Sequence, residues 1–306
     1  MNEIRVLAPA TVSNVVCGFD CLGFALSAPY DEMTVRIIAE QTVKIINRDD
    51  FDLPTDPEKN VAGKALLSMM RAIGEDFGFE VEITKHIKPG SGIGSSAASA
   101  AGAAVAANEL LNRRFSRTEL VEFAMDGEEI ASGARHADNV APCVFGGFVL
   151  VRSTNPVDVV ALRCPPMFAT VIHPQIEIKT SEARKILPAQ IPLTDAIRQW
   201  SNVGALVAGL QQGDYALIAR AMEDFIVEPV RKSLIPKFDE VKNESLAAGA
   251  LGGGISGSGP SIFMLSETWQ AAQKVENVMR QIYELTQIDF NLYVSEINAE
   301  GVKIVR

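Results

Sequence analysis

Apolar and polar positions alternate along residues 4–8, 33–38 and 79–87, the period of a strand that buries one face, and 41–46 reads as a partner strand for 33–38. The period lengthens to that of a helix at 60–73, where Val61, Ala65, Leu66, Met69, Met70 and Ile73 share a face. Ser116-x-x-Glu119 is a capping box that opens another helix, running to about Ala131. Further on, 144–151, 161–174, 261–265 and 290–296 have the character of strands. Helices are expected at 180–188, with Thr180 as N-cap and Pro188 as stop, and at 193–211, 214–226, 235–248 and 269–285. The chain changes character near 153–158, which predicts two domains, 1–155 and 156–306, of mixed helix and strand.

One stretch follows neither period. Pro89-Gly90-Ser91-Gly92-Ile93-Gly94-Ser95-Ser96-Ala97-Ala98-Ser99 alternates glycine with small residues and then runs into alanine-rich helix as far as Leu111. Glycine opens dihedrals closed to other residues, so the backbone N–H groups of such a loop can converge on one point. At a helix start, those groups and the helix dipole together make an anion site. The expected ligand is the polyphosphate of a nucleotide. A Rossmann fingerprint is excluded, because Gly90, Gly92 and Gly94 are spaced G-x-G-x-G, and no Walker A pattern occurs in the chain.

Composition narrows the field. With 47% hydrophobic and 22% charged residues, the 306-residue chain has the make-up of an ordinary globular protein. Its formal net charge of −10 argues against a nucleic-acid surface, which would need clustered Lys and Arg. An acidic protein that binds polyphosphate has to neutralise it locally, which points to Mg2+. Neither a signal peptide nor an apolar run of membrane-spanning length is visible, so no membrane partner is expected. Cys17, Cys21, Cys143 and Cys164 form no C-x-x-C pair and read as free thiols of a cytoplasmic protein.

Several positions invite chemistry. On the helix after Ser116, Glu128 shares the face of Val121, Ala124 and Ala131, whereas Glu129 neighbours Glu122 and Asp126. Glu128 therefore points inward and needs a partner: an ion pair, a hydrogen bond, or Mg2+ with the Ser96 hydroxyl beside it. Residues 10–26 read as a glycine-punctuated loop in which Asn14 and Asp20 either close turns or hold a small polar ligand. The run Gly133-Ala134-Arg135-His136-Ala137-Asp138-Asn139-Val140-Ala141-Pro142 packs a histidine, an acid and an amide together before Pro142 stops regular structure. Arg184 and Arg231 are singly surface charges and together a bidentate clamp for a carboxylate. Residues 251–261 contain Gly252, Gly254 and Gly257 in G-x-G-x-x-G spacing, but between a helix and a strand, the wrong order for a dinucleotide loop. They read as a tight turn or as a second backbone surface facing the 89–99 loop.

Three of these stretches in this order, 10–26, 89–99 and 252–261, resemble the GHMP kinase family. Gly18-Phe19-Asp20-Cys21-Leu22-Gly23 and residues 136–142, supported by Thr180-x-x-x-Arg184 and Glu228-Pro229-x-Arg231, are similar to the branch that acts on homoserine. Val15-Val16-Cys17 departs from the leucine-glycine-proline-like run usual there. The resemblance implies an N-terminal α/β domain like domain 2 of ribosomal protein S5 and a C-terminal ferredoxin-like domain, with the site between them. It implies transfer of phosphate from ATP, with Mg2+, to the hydroxyl of L-homoserine in threonine biosynthesis, by a homodimer. Asn60 would lie near the adenine, the 89–99 loop would wrap the phosphates, and Ser96 and Glu128 would hold Mg2+. Asn14 and Asp20 would take the amino end of the substrate, Arg184 and Arg231 its carboxylate, with Thr180 and Gly257 alongside. Asn139 and His136 would address the hydroxyl. An amide cannot accept a proton, so this reading has no strong side-chain base.

Overall fold

The computed structural model describes residues 2–305, and among these the strands fall into two sheets. The larger holds β1 (Glu3–Val15), β2 (Gly18–Ile38), β3 (Val43–Asn47), β4 (Gly78–Thr84), β5 (Phe148–Thr154) and β6 (Val157–Leu162), joined by the C-terminal β11 (Lys303–Val305) beside β1. The smaller consists of β7 (Phe168–Pro174), β8 (Gly252–Ile255), β9 (Ile262–Ser266) and β10 (Phe290–Glu296), in the order β10-β7-β9-β8 and antiparallel throughout. Helices α1 (Val61–Ile73), α2 (Ser95–Leu110), α3 (Arg117–Ser132) and α4 (Val140–Phe145) belong with the first sheet. The second half adds α5 (Thr180–Lys185), α6 (Leu193–Gln212), α7 (Tyr215–Ala221), α8 (Glu228–Arg231), α9 (Phe238–Ala247) and α10 (Trp269–Glu284). The smaller sheet, with α9 and α10 against it, has the ferredoxin-like strand order, and the class is α+β as expected.

Four expectations need correcting. Residues 10–26 are not a loop: β1 and β2 form one long antiparallel hairpin from Glu3↔Arg36 to Val15↔Gly18. The apolar residues Val12, Val15, Leu22, Phe24 and Leu26 are fully buried and hold the hairpin down, while positive φ at Asn14 (56°), Val16 (47°) and Asp20 (57°) twists its tip. Residue 23 must be glycine, because a Cβ there would lie 1.9 Å from the Asp138 carbonyl oxygen. Strand β3 pairs in parallel with β4 instead of with 33–38, since α1 supplies the crossover that parallel strands require. Pro142 does not stop regular structure but sits in the first turn of α4, where its missing N–H would have had no helical partner anyway. Finally, 161–174 is two strands interrupted at Pro165-Pro166, and the chain changes sheet there. The boundary expected at 155/156 falls in the β5–β6 turn, inside the larger sheet.

Helix α2 is the centre of the first half. It has no amphipathic stripe, because alanines Ala97, Ala98, Ala100, Ala101, Ala103, Ala104, Ala106 and Ala107 are all fully buried. Such a helix is apolar all round and belongs inside, here between the sheet and helices α1 and α3. Gly102 brings it close to β1 and β2: a Cβ at that position would lie 2.8 Å from the Cβ of Ala8. The two halves meet across Phe24, whose ring lies 4.7 Å from Phe148 of its own sheet and 5.6 Å from Phe263 of the other.

Candidate active site

Between the halves lies a cleft of about 450 Å³, and the start of α2 opens into it. Gly90, Gly92 and Gly94 take φ of 76°, 80° and 70°, so the loop coils through dihedrals that side chains resist. Gly94 is the N-cap of α2 and makes no side-chain capping bond, which leaves the first N–H groups of a buried 16-residue helix for a ligand. The loop is held from both domains. Thr11 N–H donates to Ile93 O (3.1 Å), Ser256 Oγ to Gly92 O (2.7 Å) and Ser261 Oγ to Ser91 O (2.6 Å). The second glycine stretch thus does face the first, and its Gly252–Ile255 portion is strand β8, not a turn. Glycine suits β8 because a Cβ at Gly253 would lie 2.0 Å from Phe263 O.

Pro89, Gly90, Ser91, Gly92, Gly94, Ser95, Ser96 and Ser99 line the cleft. Ile93, Ala97 and Ala98 do not: their side chains are fully buried in the core, so only their backbone is available to a ligand. Glu128 reaches the cleft from α3, buried as its helical phase requires, and the Ser96 hydroxyl hydrogen-bonds to its carboxyl group. Burial pushes the Glu128 carboxyl from 4.5 up to about 7, against the Ser96 hydrogen bond and the Lys85 charge. One carboxylate and one hydroxyl at the mouth of this glycine loop fit Mg2+, which takes few protein oxygens and completes its shell with ligand oxygens and water.

The other end of the cleft is charged. Arg184 Nη2 donates to Asp20 Oδ1 (2.9 Å) and Oδ2 (3.1 Å) and lies 3.2 Å from His136 Nε2. Arg184 and Arg231 both stand over the Phe19 ring, at 5.6 and 5.0 Å, so one aromatic ring neighbours two guanidinium groups. Arg231 is buried and donates to Ala183 O (3.0 Å) and Gly257 O (3.2 Å). Burial and the neighbouring Arg184 draw its guanidinium below the ordinary value. Asn14 ties the corner together: its Nδ2 donates to Gly257 O (2.8 Å), and its Oδ1 accepts from Asp20 N–H (2.8 Å). Asn139 is fixed by Thr11 Oγ1, which donates to its Oδ1, and by Ser13 Oγ, which accepts from its Nδ2, both at 2.8 Å. Thr180 touches Ser258 (3.3 Å) and is the first residue of α5 instead of its cap.

At the far end, Leu53, Pro54, Val61 and Ile130 form an apolar wall beside Asn60. Asn60 is the N-cap of α1: its Oδ1 accepts from Ala62 and Gly63, and its Nδ2 donates to Pro54 O. Its carbonyl is thereby occupied, and a single amide hydrogen remains for a base.

Sequence reasoning overlooked Thr11, Ser13 and Ser258, hydroxyl residues carrying no pattern of their own, and also Lys85 and Asp31. These last two were readable. Lys85 continues the buried phase of Phe79, Val81 and Ile83, and Asp31 that of Met33 and Val35, so each places a charge on an inward face.

Comparison with known proteins shows the family. Residues 60–147 match the family profile described as GHMP kinases N terminal domain, and 206–285 that described as GHMP kinases C terminal. The chain is 44% identical to the homoserine kinase of Chloroherpeton thalassium, with 100% of each chain covered. It is 38% identical to that of Xanthomonas campestris pv. campestris, over 100% of this chain and 95% of the relative. A crystal structure of homoserine kinase from Cytophaga hutchinsonii superposes with a TM-score of 0.95 at 50% identity, covering 100% of this chain and 98% of that one. A mevalonate kinase from L. major, crystallised with R-mevalonate, shares the fold at 16% identity, 96% coverage of each chain and a TM-score of 0.72.

Proposed function

The chain belongs to the homoserine kinase branch of the GHMP kinase family, and from that premise we propose that it transfers the γ-phosphoryl group of ATP to the side-chain hydroxyl of L-homoserine. The observation that carries the reading is one cleft with a helix-capped phosphate loop at one side and the set Asp20, Arg184 and Arg231 at the other. Homoserine is a small zwitterion, and one acid facing two arginines is complementary to its two charges. A mevalonate- or sugar-type substrate would leave that set without a role.

In this reading the backbone at residues 90–96 binds the triphosphate, and Ser96 and Glu128 hold Mg2+, which neutralises charge on the phosphates. Asp20, braced by Asn14, takes the ammonium group, and Arg184 and Arg231 take the carboxylate. Asn139 and His136 face the hydroxyl, while the apolar wall and Asn60 receive the adenine. Phosphoryl transfer asks mainly for positioning and charge stabilisation, which these rigidly bonded groups supply. With Asn139 held by Thr11 and Ser13, no strong side-chain base is assigned; the hydroxyl proton leaves late, to phosphate or water.

No helix among the described residues is long and apolar enough to cross a membrane, and the four cysteines are free thiols. Both suit the cytoplasmic setting of an amino-acid biosynthetic enzyme. The expected homodimer has a candidate surface in Leu193, Ile197 and Trp200, one face of α6 at 67%, 46% and 57% exposure. ADP release measured with L-homoserine, L-serine, L-threonine and mevalonate tests the function. Turnover selective for L-homoserine is expected; a preference for mevalonate, or no turnover with any acceptor, would overturn it.

A further inference from the structure

Lys85 lies beneath the phosphate loop with its side chain 2% exposed, against Asp31 at 0%. Its ammonium group donates to Asp31 Oδ2, to Ser95 O (3.0 Å) and to Ser99 Oγ (2.8 Å). The other Asp31 oxygen accepts the N–H groups of His86 (2.8 Å) and Ile87 (2.9 Å), and Ser95 Oγ donates back to Ile87 O (2.7 Å). Strand β2, the segment leaving β4 and the first turn of α2 therefore converge on one nitrogen.

Two features decide what this nitrogen does. All three of its hydrogens are engaged and its charge is matched by Asp31, so it is not arranged as a phosphate ligand. The helix it grips has a glycine N-cap without a side-chain bond, so the anchoring that a serine or aspartate cap normally gives is missing at Gly94. A buried ion pair is also a poor source of stability compared with apolar packing.

Resting on the reading of residues 90–96 as the phosphate site, we propose that Lys85 is a positioning residue for phosphoryl transfer. Its bonds to Ser95 O and Ser99 Oγ anchor the first turn of α2 to β2 and the end of β4 and set the direction in which the helix's free N–H groups meet the donor's phosphates.

The test is the full-length double variant K85M/D31N, which removes both charges while the introduced carboxamide keeps an oxygen for the His86 and Ile87 amides. Misaimed donors should raise KM for ATP and Kd for ADP on the order of 10- to 100-fold. Affinity for adenosine, KM for L-homoserine and the melting temperature should stay near wild type, a split that general loosening would not produce. Unchanged ADP affinity, or equal losses for ADP and adenosine, would overturn the assignment. Should the double variant fail to fold, Ser99→Ala removes one acceptor, keeps the ion pair and carries the same comparison of ADP with adenosine. Wild-type protein that binds ADP no better than adenosine would instead refute the phosphate-site reading itself.

Discussion

Two carboxyl groups in the cleft sit where ionisation is opposed, Glu128 chiefly by burial and Asp138 by burial together with the nearby charge of Asp20. Between its ordinary 4.5 and about 7, folded Glu128 keeps a proton that the unfolded chain has released. Stability therefore falls as pH rises through that window, by about 3 kcal/mol for this group once it is ionised. Glu128→Gln should raise the melting temperature of ligand-free protein at about pH 8, and the gain should vanish by about pH 5. The same variant should lose turnover, and wild-type kcat/KM should decline on the acid side of about pH 7, where the proton competes with the cation. Asp138→Asn separates the proton routes. With no side-chain base, kcat should stay within about tenfold of wild type, whereas a general base would cost on the order of 100-fold or more. A loss that large with ATP and L-homoserine affinities intact would make Asp138 the acceptor. At this scale the sequence was informative where a residue type fits one chemistry: Glu128 faces inward as its helical phase demands. It was mute on partnerships, for no pattern reveals that Arg184 rests on Asp20 or that Thr11 and Ser13 pin Asn139.

Among the elements, the glycine loop and α2 were legible because a run of small residues before a helix has few physical uses. The β1–β2 hairpin was not, since Gly18 and Gly23 look like turn residues; they are there for close approach, Gly18 to Leu22 and Gly23 to Asp138. Strand β8 was hidden for the same reason. Glycines in the phosphate loop are likewise unequal. A Cβ at Gly94 would lie 2.0 Å from Thr11 Oγ1 and 3.1 Å from Asn139 Oδ1, whereas at Gly90 no atom lies within 4 Å. Both have positive φ, so Gly90→Ala should cost about 1 kcal/mol of backbone strain and lower kcat/KM for ATP by less than Gly94→Ala does. Gly94→Ala should also break the Thr11–Asn139 contact and lower kcat/KM for ATP by at least about 100-fold. Steady-state kinetics beside chemical denaturation of the two variants checks this; equal behaviour would contradict it.

For the whole molecule, the two sheets meet where the second half reaches across: Ser256 and Ser261 hold the 89–94 glycine loop, and Arg231 stands at the charged end of the cleft. Mixed helix and strand periods were legible in the sequence, whereas the α+β class and the expected place of the site came with the family resemblance that three glycine stretches carry. The true change of sheet was obscured because the β5–β6 hairpin turns back before Pro165-Pro166. The exposed row on α6 also belongs to this scale. If it forms the dimer contact, Trp200→Glu should convert a dimer to monomer in sedimentation velocity with the fold unaltered, and an unchanged dimer would place the contact elsewhere. Last, Arg184 lies directly against Asp20. If the proposed substrate site is right, an incoming molecule has to come between opposite poles that already satisfy each other. A compound with only one pole, such as 4-hydroxybutyrate or 3-aminopropanol, releases a charge for every charge it matches. Homoserine replaces both halves of the broken contact at once. Selection against incomplete look-alikes is then built into the resting pair itself, and competition assays with these two compounds should find neither able to displace the amino acid.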